Sequence, residues 1–407
     1  MVERLFQYPL SRKVIHMTPT SNQPTSAYAM FSPGDMERRY VRARDLMARR
    51  GLDVLLVTNE ENFQYFTGAT GTLALHYSNT RPAVLVFPLK GDPISITGEM
   101  IIQGLEVSTH LKDLRGYTDI LSFPHQMVVE AIRDATPDIK RVGVELGQEQ
   151  RMGMPVGDYL GIIEAMPDVV FEDAADIFVY LRMIKTPEEV AYMKQAADIT
   201  GRARQRLFDE VVPGMTERDV VRRLRGLILE EGGDRTSFVH LVCEFPANHT
   251  QSHLDRPLKK GNILYVDSGA YVGCYTIDYA RLATLGPATS EHKRCHSVLL
   301  EANRRMIEAL KPGVSCSELF HIGAEVIQES GFEITPVGRM GHGQGIQLTE
   351  PPSVSPDDST VLEEGMVIST EPEIAMNLLW EDVHVITADG HEQLTSETVE
   401  LREIPFD

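Results

Sequence analysis

Four carboxylates and one imidazole, each in a short strand-like or glycine-rich frame, hold the chemistry of this 407-residue chain. Asp267 and Asp278 stand eleven residues apart in VDSGAYVGCYTID, His342 lies in GHGQG, Glu371 in STEPE and Glu381 in WEDVHVIT. Such a donor set, mostly oxygen with a single nitrogen, suits two divalent cations, which together can activate water for hydrolysis. Taken singly, each aspartate reads as a turn or cap residue and the histidine as structural. Carboxylates set into apolar runs are costly, however, unless a cation or an arginine meets them. Their joint occurrence points to a dinuclear metallohydrolase.

The elements that must position these groups can be read locally. Asp267 follows the apolar run ILYV and precedes Ser268 and Gly269, which predicts a carboxylate at the end of a buried strand where glycine permits close backbone approach. Gly273 marks a turn, and YTID brings Asp278 back on a second strand, so one hairpin can carry both aspartates. His342, between glycines, is presented from a turn; Glu371 follows the run VIST, and Glu381 precedes the apolar alternation VHVIT.

Upstream of them, Thr186-Pro187-Glu188-Glu189 forms a capping box that opens a long amphipathic helix, with Val190, Met193, Ala197, Thr200 and Ala203 on one face. Further helices are expected over 217–231, 292–310 and 316–330, with Gly313 and Gly331 as stops. Nearer the amino terminus, Ser32-Pro33-Gly34-Asp35 begins a helix that Gly51 ends, and strands are expected over 54–57, 83–87 and 94–96. Phe63, Tyr65, Phe66 and Gly68 read as another strand and turn. This alternation predicts an α/β (α+β) protein, with an irregular arm over 1–32, a first α/β domain over 33–183 and a second domain over 184–407.

Composition removes several function classes. Lys and Arg number 39 against 59 Asp and Glu, a net charge of −20, and no basic run is present, so neither nucleic acid nor an anionic membrane is an expected partner. The cysteines Cys243, Cys274, Cys295 and Cys316 are widely spaced with no CxxC pair, which indicates reduced thiols and a cytoplasmic setting. No apolar stretch has the length of an export signal core or a membrane span.

The segments RARDLMARRGLDVLLVTNEENFQYFTG, IKTPEEVAYMKQAADIT, RPLKKGNILYVDSGA, IDYAR, GHGQG, LEEGMVISTEPE and EDVHVITADGHEQLT together resemble the creatinase, prolidase and methionine aminopeptidase superfamily. Its Xaa-Pro peptidases are the most similar branch. The resemblance implies a creatinase-like amino-terminal domain followed by a pita-bread metallohydrolase domain. It also implies two Mn, Co, Zn or Fe ions, with Asp267 bidentate to one, Asp278 and Glu381 bridging, and His342 and Glu371 on the other. Glu371 then doubles as proton acceptor for the attacking water. A short-peptide or small-molecule substrate and a homodimer follow from the same likeness.

Several positions depart from the family pattern. A second family histidine, seven residues after the metal-binding one and in contact with substrate, is Thr349 here. Another, eleven residues before Gly261, falls on Thr250, which His249 and His253 flank; a one-residue shift lets His249 take a catalytic role and leaves His253 beside the substrate. Asn262 replaces an aspartate and Glu373 a glycine. The family places an arginine beside the metal centre at Arg281, where substrate contact competes with pairing to a nearby acid. His384 and His391 read as strand and turn residues. Tyr65, Phe66 and His76 could line a partner subunit's pocket, with core packing the preferred reading for the aromatics. Threonine cannot carry a positive charge, so a non-peptidase alternative stands beside the peptidase: an ectoine- or creatine-like amide hydrolase, or a sulfonium-propionate lyase. A metal-free binding protein is the third reading.

Overall fold

Ser32 caps the first helix through its hydroxyl, Pro33 occupies the first turn, and Gly51 closes the helix at φ 67°, so α1 (Pro33–Arg50) has the bounds that its sequence signals predict. The computed structural model describes residues 28–69, 81–246, 254–336, 338–375 and 377–407. Of the expected arm, only 28–32 lies among them.

The amino-terminal domain is built on one six-stranded sheet. Its strands are β1 (Val54–Val57), β2 (Val84–Pro88), β3 (Ile94–Gly98), β4 (Asp113–Tyr117), β5 (Arg141–Val144) and β6 (Val170–Asp173), in the order β4-β3-β2-β1-β5-β6. β1 runs antiparallel to β2 and parallel to β5. Leu55 and Val57 join the core that contains Met36, Ala43 and Met47 of α1, whereas Val54 and Leu56 join the core that contains Val128 and Ile132 of α4 (His125–Ala135) and Ile162 of α5 (Val156–Ala165). Both faces are covered, which is why the strand reads as the unbroken apolar run VLLV. Three more helices complete the domain: α2 (Glu60–Thr67), α3 (Glu99–Ser108) and α6 (Ala175–Met183).

The segment expected as a strand at 63–68 is instead α2. The Asn59 side chain accepts from the Glu61 and Asn62 amides, and Gly68 closes the helix at φ 68°. Aromatic β-propensity suggested a strand, but the asparagine cap and the acidic first turn prevail, and Phe63 and Phe66 fall on one buried face.

The second domain opens with α7 (Pro187–Glu210), whose capping box between Thr186 and Glu189 is present, followed by α8 (Glu217–Glu230). One sheet contains β7 (Arg235–Val242), β8 (Ile263–Val272), β9 (Tyr275–Thr276), β10 (Tyr279–Leu285) and β18 (Arg402–Ile404), ordered β18-β10-β8-β7 with β9 on β8. After α9 (Ser290–Ala309) and α10 (Cys316–Glu329), a second sheet is formed by β11 (His342–Gly343), β12 (Glu350–Ser353), β13 (Val367–Thr370), β16 (Asp382–Ile386) and β17 (His391–Gln393). A short ribbon pairs β14 (Glu373–Ile374) with β15 (Leu378–Leu379). Leu264 and Val266 of β8 share a core with α7 and α8, while Ile368 of β13 and Ile386 of β16 share one with α9 and α10. Each sheet thus has a helix pair on one face, and the candidate ligands stand on the opposite faces, which are themselves buried.

Strand β8 continues for five residues past Asp267 rather than ending there. Gly269 explains the difference: a Cβ at this position would lie 1.6 Å from the Ile277 carbonyl oxygen, so the missing side chain lets the returning strand close in and β8 run on. Among the described residues no helix is long and apolar enough to cross a membrane.

Candidate metal centre

Strand register brings the five predicted donors together. In the first sheet Asp267 pairs with Ala280, and Asp278 precedes that alanine by two, so the two aspartates share a face as diagonal neighbours. In the second sheet Ser369 pairs with Val383, and continuing that register sets Glu371 opposite Glu381 on the face that carries Ser369. Antiparallel pairing of Gly343 with Ile368 places His342 across from Ser369, whose hydroxyl accepts from the His342 amide at 3.0 Å. One ligand atom from each of Asp278, His342 and Glu381 lies within 4.8 Å of the other two. Glu371 Oε2 is 3.8 Å from His342 Nε2, and Asp278 Oδ2 is 3.9 Å from the same nitrogen.

Asp267, Asp278, His342 and Glu381 are buried and Glu371 is 13% exposed, and the unfilled valences of the set fit a cation. Asp267 Oδ1, Asp278 Oδ1 and Glu381 Oε2 are buried without any hydrogen-bond partner among the described residues. Burial raises the pKa of Asp267, Asp278 and Glu381, joined at Asp278 and Glu381 by repulsion from neighbouring acids. Glu371 is pushed up to about 8 by burial, against the opposing pull of the Arg339 guanidinium. Burial holds His342 down to about 3, so the ring is neutral, and contact of Nδ1 with the Gly343 carbonyl at 2.9 Å leaves Nε2 free as a ligand atom. Four acids that cannot all ionise together beside a neutral imidazole are an arrangement that divalent cations would complete.

The surrounding side chains that fix the donors have weaker sequence signals. Gln344 ties the sheets together: its Oε1 accepts from the Asp278 amide at 2.9 Å, and its Nε2 donates to the Asp278 carbonyl at 2.7 Å and to Glu381 Oε1 at 3.3 Å. Its place inside GHGQG was the one hint. The Tyr265 hydroxyl donates to Asp267 Oδ2 at 3.0 Å. Asp382 accepts from Asn303, Trp380, Thr395 and Arg281, anchoring the chain immediately after Glu381.

Arg281 pairs with a nearby acid, the alternative weighed against substrate contact. It is one residue out of phase with Ala280, so it leaves β10 on the face opposite Asp278, and its guanidinium donates to the Glu381 carbonyl at 2.5 Å and pairs with Asp382 at 2.7 Å. Thr349 is partly exposed in the bend before β12, next to Glu350. Glu373 lies on the β14 ribbon, its carboxyl pushed up to about 7 mainly by burial. Asn262 donates to the Cys243 carbonyl and so has a structural partner. His384 is buried in β16, edge to face with His391. Tyr65 and Phe66 are core residues. His76, His249 and His253 lie outside the described residues.

Both domains match known families. Residues 191–388 match metallopeptidase family M24, and residues 39–184 match the creatinase/prolidase N-terminal domain. A Xaa-Pro dipeptidase of Pyrococcus furiosus is 31% identical over 237 residues, covering 57% of this chain and 68% of the relative. One from Lactobacillus delbrueckii subsp. lactis is 28% identical, covering 89% and 98%. The solved Xaa-Pro dipeptidase from Bacillus anthracis superposes with a TM-score of 0.79 at 24% identity, covering 90% and 99%, a likeness of fold. Donors suited to divalent metal, carried on that fold with both domains matched, mean that the chain belongs to metallopeptidase family M24 and is a metallohydrolase.

Proposed function

We propose that the chain is a cytoplasmic, homodimeric dipeptidase or aminopeptidase that cleaves the bond before proline in short Xaa-Pro peptides, using two divalent metal ions. Manganese is the first choice, with Co, Zn or Fe as substitutes. The observation that carries this reading is the set of three orphaned carboxylate oxygens, on Asp267, Asp278 and Glu381, around a neutral His342. The substrate comes from the relatives named Xaa-Pro dipeptidase. We read residues 33–183 as the creatinase-like domain and 184–407 as the catalytic domain. Four free, buried cysteines fit a reducing compartment. Two apolar side chains one turn apart on α5, Val156 and Leu160, are exposed and offer a surface for a second copy.

Asp267, Asp278, His342, Glu371 and Glu381 are the proposed ligands. The bound ions would polarise the scissile carbonyl and acidify the attacking water. Glu371 accepts that water's proton at a carboxylate oxygen and returns it to the leaving nitrogen. Gln344 holds Glu381 and the Asp278 backbone in register, and Tyr265 orients Asp267. Arg281 positions Glu381 through its carbonyl.

Protein purified without chelator should carry about two equivalents of transition metal and hydrolyse Xaa-Pro dipeptides with manganese added. A fully loaded enzyme that leaves a panel of Xaa-Pro dipeptides and longer Xaa-Pro peptides intact sinks the peptidase reading. Thr349 and Glu373 favour the second reading in that event, a small-molecule amide hydrolase or lyase, because they remove an imidazole and add an acid near the ligands. Light scattering at twice the 45.5 kDa chain mass tests the dimer.

A further inference from the structure

One imidazole beside the ligands has no part in the chemistry above. His240 lies on β7 and pairs in register with Asp267, so the two side chains leave the sheet on the same face. Ala280, Asp267 and His240 are thus in register across β10, β8 and β7, with Asp278, two residues before Ala280, on the same face. The His240 ring meets Tyr265 edge to face at 5.3 Å, and the hydroxyl of that same tyrosine holds Asp267. His240 Nε2 is buried and has no hydrogen-bond partner among the described residues, although the residue as a whole is only half-buried. An imidazole nitrogen kept out of water and left without a partner is costly unless something else meets it. The orphan nitrogens of His384 do not compete for this role: His384 is out of phase with Glu381 and Val383 along β16 and leaves the strand on the other face.

We propose that His240 is a substrate-contacting residue whose Nε2 hydrogen-bonds an oxygen of the bound peptide, supplying from β7 an imidazole that Thr349 cannot supply. The identity of that peptide rests on the Xaa-Pro reading. β7 is the edge strand of its sheet, so no further strand stands beyond His240 on the side away from Asp267.

The test uses the full chain loaded with zinc and labelled with 15N-histidine, the His240 ring signals being assigned by their loss in His240→Gln. On saturation with a non-hydrolysable reduced-amide analogue of Ala-Pro, those signals should shift. His240→Ala should keep its metal content and melting temperature but lose roughly 10- to 100-fold in kcat/KM, mainly through KM, and His240→Gln should recover part of it. An unmoved ring signal, kinetics of His240→Ala within about twofold of wild type, or metal loss in both variants overturns the proposal. If the wild type cleaves no Xaa-Pro peptide, the peptidase reading fails by itself. A ring shift with the analogue then still supports contact at His240, and an unmoved ring rejects both.

Discussion

Burial raises Asp267, Asp278 and Glu381 above the ordinary carboxylate range, with repulsion from neighbouring acids adding to it at Asp278 and Glu381, and lifts Glu371 to about 8, so the metal-free site retains protons that entering cations must displace. The sign of the pH effect follows. A carboxyl whose folded pKa is raised contributes stability that is complete below its unfolded value, 4.5 for Glu371, and is lost as pH rises through about 8. Chelator-treated protein should therefore lose stability across that window, on the order of a few kcal/mol in total, and its melting temperature should fall with it. Two equivalents of manganese should reverse the trend, a result that differential scanning fluorimetry with and without chelator would give directly. A flat chelator-treated profile would contradict the cluster's electrostatics. Asp278→Asn keeps the shape but removes a charge from the ligand set; it should cut metal retention and lower kcat by at least about 10³-fold, measured by elemental analysis and turnover. At this scale the sequence was informative where a residue type is chemical in itself. The five donors stand in distinctive frames, whereas Gln344 and Tyr265 have roles only through what the fold sets beside them, and Arg281 required the strand's parity to be known.

Between elements, the hairpin of β8 and β10 does the work of bringing two acids together. Gly269 was legible as a point of close approach, and the 1.6 Å that would separate an added Cβ from the Ile277 carbonyl oxygen gives the reason. What local reading missed was the consequence, a strand that passes through its ligand rather than ending on it. Gly269→Ala should force the two strands apart and move Asp278 away from Asp267, at a cost of about 3 kcal/mol and with loss of metal binding. A variant that melts like wild type and holds its metal would show that the hairpin can yield without moving the acids. Helix α2 teaches a complementary point, because its aromatic residues satisfied a strand pattern while Asn59 and Gly68 had already fixed both ends of a helix. Caps act through single backbone hydrogen bonds and outweigh the propensity of a few side chains over eight residues.

Across the whole molecule, the two domains are joined next to the site by a buried polar chain invisible to any local pattern. Glu145 in the first domain accepts from the Asn62 amide group at 2.8 Å, and Asn62 in turn accepts from Arg182 at 3.1 Å. Arg182 pairs with Glu350 at 2.6 Å, a residue 168 positions later, and Lys185 reaches the other oxygen of Glu350 at 3.2 Å. Glu350 also accepts from the Gln347 amide, so this chain fixes the bend that runs from the ligand strand through Thr349. The two cations hold the Glu350 carboxyl down to about 2 despite its burial. Here the linkage runs opposite to that of the metal cluster: the stability it contributes is present above the unfolded value of 4.5 and is lost as pH falls toward about 2. Glu350→Gln would leave the Arg182 and Lys185 charges buried without a counter-ion, and should destabilise the protein by about 3–5 kcal/mol. The variant should also lose its acid-limb transition in urea titrations between pH 5 and 2. Because the bend next to the site loosens as well, kcat/KM should fall in a metal-loaded sample even at temperatures where the variant remains folded. Unfolding and activity that both match wild type would mean that the domains are held together, and the site shaped, by the apolar core alone.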